Sequence, residues 1–110
     1  MSYEDMSKSD LCISVARKWF NDVIQHGVND DGSVYLDRAS CKELVNFDPI
    51  KNHDDAYPIM EKYGMIISVD GSATIPKSKS DTGERISNHC KGQLLKSAMI
   101  CFLKMKDAQQ

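Results

Sequence analysis

The segment from about Cys90 to Lys106 constrains this chain most. Leu94, Leu95, Ala98, Met99, Cys101, Phe102 and Met105 recur at helical spacing, and Ile100 and Leu103 widen the apolar face further. Lys91, Lys96, Lys104 and Lys106 leave only a narrow wet strip. A helix that is apolar around most of its circumference is stable only when other elements surround it. Its longest apolar run, Ala98 to Leu103, falls far short of the ~20 residues that cross a bilayer. The segment is therefore expected to be the central helix of a core, weakened only in its first turn by Gly92.

Two further helices are expected to flank it. Cys12, Val15, Ala16, Trp19, Phe20, Val23 and Ile24 fall on one helical face between Asp10 and His26, with Ser7 or Ser9 as N-cap and Gly27 as the terminator. A second helix is expected to start near Asp54 or Asp55, capped by Asn52 or Asp54, and to stop at Gly64. That start keeps Pro58 close to the first turn, where a missing N–H costs little.

Extended pieces lie between the helices. Asn29-Asp30-Asp31-Gly32 reads as a turn and Ser33–Asp37 as a short strand; Cys41–Phe47 reads as a second extended piece, ended by Asp48-Pro49. Met65–Ile75 around Asp70-Gly71 is the clearest hairpin signal, and Asp-Gly suits a type I′ turn. Lys77–Asn88 is polar with only Ile86 apolar, and reads as a mobile loop. No internal repeat is visible. The expected fold is α+β: one domain over residues 1–110, a small antiparallel sheet including the 65–75 hairpin, and three helices with the last one central.

Composition and motifs exclude more than they point to. The net charge of −2 over 110 residues does not suit a generic basic nucleic-acid binder. Carboxylates are in excess up to Pro76, and lysine and arginine are in excess after it. The four cysteines form no C-x-x-C pair, and the first ten residues carry neither a basic start nor an apolar run. A reducing cytoplasm with no signal peptide, disulfide, cofactor or metal is expected. Cys41, His53, His89 and Cys90 are soft donors without paired spacing. An EF-hand framed on Gly32 would need carboxylates where Gly27 and Arg38 stand. Cys90 beside His89, at the expected start of the last helix, is the one candidate for nucleophilic chemistry; neighbours in a helix point apart, so they make no dyad.

Two stretches resemble one family. Phe47-Asp48-Pro49 followed by Asn52-His53-Asp54-Asp55-Ala56-Tyr57-Pro58-Ile59-Met60, together with Leu95-Lys96-Ser97-Ala98-Met99-Ile100-Cys101-Phe102-Leu103, resembles the NinX-like proteins of lambdoid phages and prophages. The Tyr3-x-x-Met6-Ser7 opening is similar to theirs as well. Tyr57 stands where members often carry tryptophan, and the aromatic-rich segment before their last helix is replaced by the polar 77–88 stretch. The resemblance covers about a third of the chain. It implies a phage accessory protein in the host bacterial cytoplasm, and no reaction.

The leading expectation is therefore a non-enzymatic accessory protein that binds a host or phage protein, modulating a host defence or a host enzyme. Tyr35, Tyr57 and Tyr63 are the candidate anchors, because tyrosine is enriched at interfaces. Asp54 and Asp55, with Asp48 and Glu61, form an acidic cluster for a basic partner or for the helix start. The alternatives are a nucleic-acid surface made of Lys77, Lys79, Arg85, Lys91 and Lys96, and an enzyme using Cys90.

Overall fold

The computed structural model describes residues 3–108. Met1, Ser2, Gln109 and Gln110, the ends of the expected domain, lie outside them. A single 3-10 turn, Tyr3–Asp5, leads into α1 (Lys8–Trp19), β1 (Val23–Val28), β2 (Val34–Arg38), β3 (Val45–Phe47), α2 (His53–Lys62), β4 (Ile66–Ile67), β5 (Ser72–Ile75), β6 (Ile86–His89) and α3 (Leu94–Asp107). The fold is α+β. It has two antiparallel three-stranded meanders: β1-β2-β3, called sheet A here, and β4-β5-β6, called sheet B. Each meander is followed by a helix, so the chain uses one βββα plan twice without a repeat in its sequence.

α3 is the centre of the core. It packs on β5 and β6 and on both other helices. Residues 97–103 are buried without a break, and Met105 is buried too. Phe102 is fully enclosed, 6.2 Å from the Trp19 ring and 5.7 Å from the Tyr63 ring. α1 covers β1 and β2 with Leu11, Cys12, Val15 and Ala16. Val34 and Leu36 meet it from the inner face of sheet A.

α1 ends seven residues earlier than its periodicity predicts. Phe20 leaves the helix with extended backbone, and Val23 and Ile24, read as helical, belong to β1. The apolar spacing is equally compatible with a helix followed by a strand, and β-branched Val23 and Ile24 suit the strand. Asp22 fixes the switch by accepting bonds from Arg38 Nε at 2.8 Å and from Ser40. Ser7 caps α1 as expected, its Oγ accepting the Asp10 N–H.

Gly27 is not a helix terminator. It sits inside β1 opposite Tyr35, and a Cβ there would lie 2.0 Å from Tyr35 Cζ. The glycine lets the tyrosine ring lie flat across the strand.

The two Asp-Gly turns share one construction. In each, three residues loop between a bonded pair: Asn29 N–H to Ser33 O at 2.8 Å, and Ser68 N–H to Ser72 O at 2.9 Å. Gly32 and Gly71 take positive φ, and among the described residues no residue other than glycine does. Asp70 therefore cannot hold the positive φ of a type I′ turn; the three-residue loop with a glycine bulge is the alternative hairpin solution. Asp31 and Asp70 each accept the N–H of the following serine, Ser33 or Ser72.

Three other expectations shift. Only Val45–Phe47 of the 41–47 stretch is a strand. α2 starts at His53, capped by Asn52, which puts Pro58 inside the helix rather than in its first turn. The end of the expected 77–88 loop forms β6, pairing Ile86 with Ile75 and Ser87 with Thr74. That strand is polar in sequence but bonded in place: Ser97 Oγ donates to Asn88 O at 3.0 Å, and Lys104 Nζ donates to Asn88 Oδ1 at 2.7 Å. Asp81 ties residues 77–85 to the core, accepting from Tyr63 Oη and Lys106 Nζ.

Candidate protein-binding surface

Sheet A presents one face to α1 and leaves the other uncovered. Strand alternation puts Val34 and Leu36 inward, so their neighbours Tyr35 and Asp37 face outward. Their partners across the sheet are Gly27 and Gln25. Tyr35, Asp37 and Gln25, with His26 and Leu44, line a shallow depression of about 240 Å³. Leu44 is 61% exposed on the approach to β3, and Ile24 and Val28 of β1 are 58% and 52% exposed. Of these, Leu44 shares the depression with the half-buried Tyr35, whereas Val28, paired with the inward Val34, lies on the α1 side of the strand; Tyr57, Ile66 and Val69 are exposed on α2 and around β4.

The two ends of the sheet differ in charge. At the turn end, Asp30 and Asp31 from the β1–β2 turn, Asp48 after β3 and Asp55 of α2 line an open depression of about 640 Å³ with Asn29, Asn46 and Asn52. Hydrogen bonds from Ser33 lower the Asp31 pKa. Burial raises that of Asp55, with Asp48 and Asp54 adding to the effect, while the Asp48 N–H donates to it at 2.8 Å. Lys8 answers Asp48 at 2.9 Å. At the opposite end lie Arg17 and Lys18 at the close of α1, with Arg38 held by Asp22 and its guanidinium carbon 4.0 Å from the Phe20 ring centroid. Hydrogen bonds from Arg38 and Ser40 hold the Asp22 pKa down at about 2.

The candidate residues separate in the structure. Tyr35 lies on the open face. Tyr57 is exposed on α2 with its ring 5.4 Å from His53, and Asp54 beside it is also exposed. Asp55 belongs to the acidic depression. Tyr63 is no surface anchor: it is 1% exposed, packed on Phe102 and bonded to Asp81. Burial of the α2 end against α3 consumes its ring.

The expected basic cluster is dispersed. Arg85 lines a groove with His89 and Lys104 over Ser72, Thr74 and Ser87. Lys96 instead lines a depression with Met6, Leu11 and Ile50, and donates to Glu4 O at 3.3 Å. Lys79 lies along Gly64, and Lys77 and Lys91 are exposed elsewhere.

Cys90 follows β6 and precedes the α3 N-cap Gln93, so it is not at a helix start; it is 8% exposed and accepts from Asn88 Nδ2. All four cysteines are free thiols. Among the described residues no three His, Cys, Asp or Glu side chains converge as metal ligands, and no helix is long and apolar enough to cross a membrane.

Sequence pattern alone does not single out Leu44, because its exposure depends on which strand forms the edge. No protein-family model matches the chain, and no curated protein matches it.

Proposed function

We propose that this chain is a phage accessory protein of the host bacterial cytoplasm that works by binding a host or phage protein through the uncovered face of sheet A. The observation that carries the reading is the exposed Leu44 beside Tyr35 in the depression on the face of sheet A opposite α1. An aromatic on a rigid strand with an exposed leucine beside it and a polar rim has the makeup of an interface centre. The acidic depression at the turn end favours a partner with basic residues there. The NinX-like segments support the phage origin. Modulation of a host defence or a host enzyme is the role that such binding would serve.

Binding rather than catalysis is favoured by the placement of Cys90, the one candidate nucleophile, in the interior beside Asn88. Affinity capture from infected cells tests the reading with two variants. Tyr35→Ala combined with Leu44→Asp should lose the partner that the parent chain captures. A variant with Lys77, Lys79 and Arg85 neutralised should keep it. Capture that survives the sheet A changes, or that disappears with the basic residues and after nuclease treatment, would replace this reading with the nucleic-acid one.

A further inference from the structure

The outer edge of β1 is a long strand edge without the usual protection. Edge strands in stable monomers are short, or carry lysine or proline, or are covered, because their free N–H and C=O groups recruit other strands. β3, the opposite edge of sheet A, is three residues long and runs into Asp48-Pro49. β1 is six residues, Val-Ile-Gln-His-Gly-Val, with no charged side chain and no proline. Besides a bulge between Val23 and Gln25, which leaves 25–28 in regular register, it carries one charged contact, Arg17 Nη2 at 3.1 Å from His26 Nδ1.

The bonding pattern gives the edge a definite register. Asn29 donates its N–H to Ser33 O, so in the antiparallel alternation Asn29, Gly27 and Gln25 turn their backbone groups towards β2. His26 and Val28 then turn theirs outward. Antiparallel pairing of two β1 strands about a two-fold axis through His26 brings outward-turned His26 against its own copy. In the same register Ile24 lies opposite Val28 of the other copy, and Val28 opposite Ile24. These are the exposed large apolar side chains of the strand.

Charge selects the same occupant and the same direction. Arg17, Lys18 and Arg38 flank the start of β1 against the carboxylates of Asp22 and Asp37. Asp30 and Asp31 flank its end, where Lys8 is neutralised by Asp48. Antiparallel two-fold pairing sets the basic start of each copy beside the acidic end of the other, twice over. Parallel pairing would set like against like.

We propose that a second copy of this chain pairs antiparallel with β1, making a symmetric dimer with a continuous six-stranded sheet. Such a sheet carries two Tyr35 faces side by side, so the dimer presents a doubled docking surface. The dimer does not depend on the partner-binding reading above, and its test uses the purified chain alone.

Sedimentation velocity should show a monomer–dimer equilibrium between about 10 µM and about 1 mM, the range suited to an interface at the small end of specific contacts. Val28→Lys, at an exposed position, should give a monomer with unchanged melting temperature. Lys18→Glu and Asp30→Lys should each weaken the dimer several-fold, and the two together should restore it, because each new glutamate then faces the other copy's new lysine. A parent chain that stays monomeric to the top of this range overturns the proposal, as does a dimer indifferent to Val28→Lys. Failure of the double charge swap to restore the dimer overturns the register.

Discussion

Truncating Phe102 removes the side chain around which α1, α2 and α3 meet. The ring is fully enclosed, with Trp19 edge-on at 6.2 Å, Tyr63 tilted at 5.7 Å and Lys106 Nζ 5.8 Å from its centroid. Phe→Ala in a packed core costs about 3–5 kcal/mol, made of lost transfer energy and an unfilled cavity. The two aromatic contacts place Phe102 towards the upper end, since each such pair contributes about 0.5–1.5 kcal/mol beyond its buried area. A domain of this size holds only about 5–15 kcal/mol in total. At roughly 4 °C per kcal/mol, Phe102→Ala should melt about 12–20 °C below the parent by circular dichroism. Phe102→Leu, which retains most of the volume, should fall by only about a third as much. A Phe102→Ala protein that melts within a degree or two of the parent would refute the central placement of α3.

Gly71→Ala should be destabilising by at least about 1–3 kcal/mol, read as a lowered urea midpoint. Gly71 has φ +102°, and a Cβ there would lie 2.0 Å from the Cys90 carbonyl oxygen, a backbone atom with no room to move; an unchanged midpoint would contradict the close approach of the 68–72 turn to β6. The pH dependence follows from Asp22. Arg38 and Ser40 hold its folded pKa at about 2, below the unfolded value near ~3.9. The stabilisation is therefore complete above the unfolded pKa and is lost as pH falls from about 4 towards 2. Asp22→Asn should flatten the acid limb of the stability profile, and an unaltered limb would show that the Arg38 contact does not persist in solution. Asp81→Ala should raise hydrogen exchange across residues 77–85, because it releases both Tyr63 and Lys106.

How far the fold could be read from the sequence depended on whether a segment's partners were local. α3 was legible because its apolar positions run around the helix, which admits only a central place. The caps of α1 and α2 were legible from Ser7 and Asn52, and both Asp-Gly turns from their own residues. β1 was not legible, because Val23 and Ile24 continue a helical spacing by coincidence; their strand state is set by pairing with β2 and by the contact of Asp22 with Arg38 and Ser40. β6 was hidden for a similar reason. Its Ser-Asn-His sequence is polar, and its pairing with β5 and the bonds of Ser97 and Lys104 to Asn88 make it a stable edge strand.

The candidate surface was half legible. Tyr35 is legible from its residue type alone, whereas Leu44 needs the order of strands in the sheet. Tyr63 went the other way, since an aromatic near a helix end looks the same in sequence whether it faces water or, as here, Phe102.

A photo-reactive amino acid placed in the chain during infection tests the binding surface most directly. Position 44 reports the open face of sheet A, and position 79 reports the basic 77–85 segment, exposed on a different part of the molecule. Irradiation should yield a discrete protein adduct from position 44 and none from position 79. An adduct from position 79 alone, or nucleic acid attached there, would contradict sheet A as the binding surface.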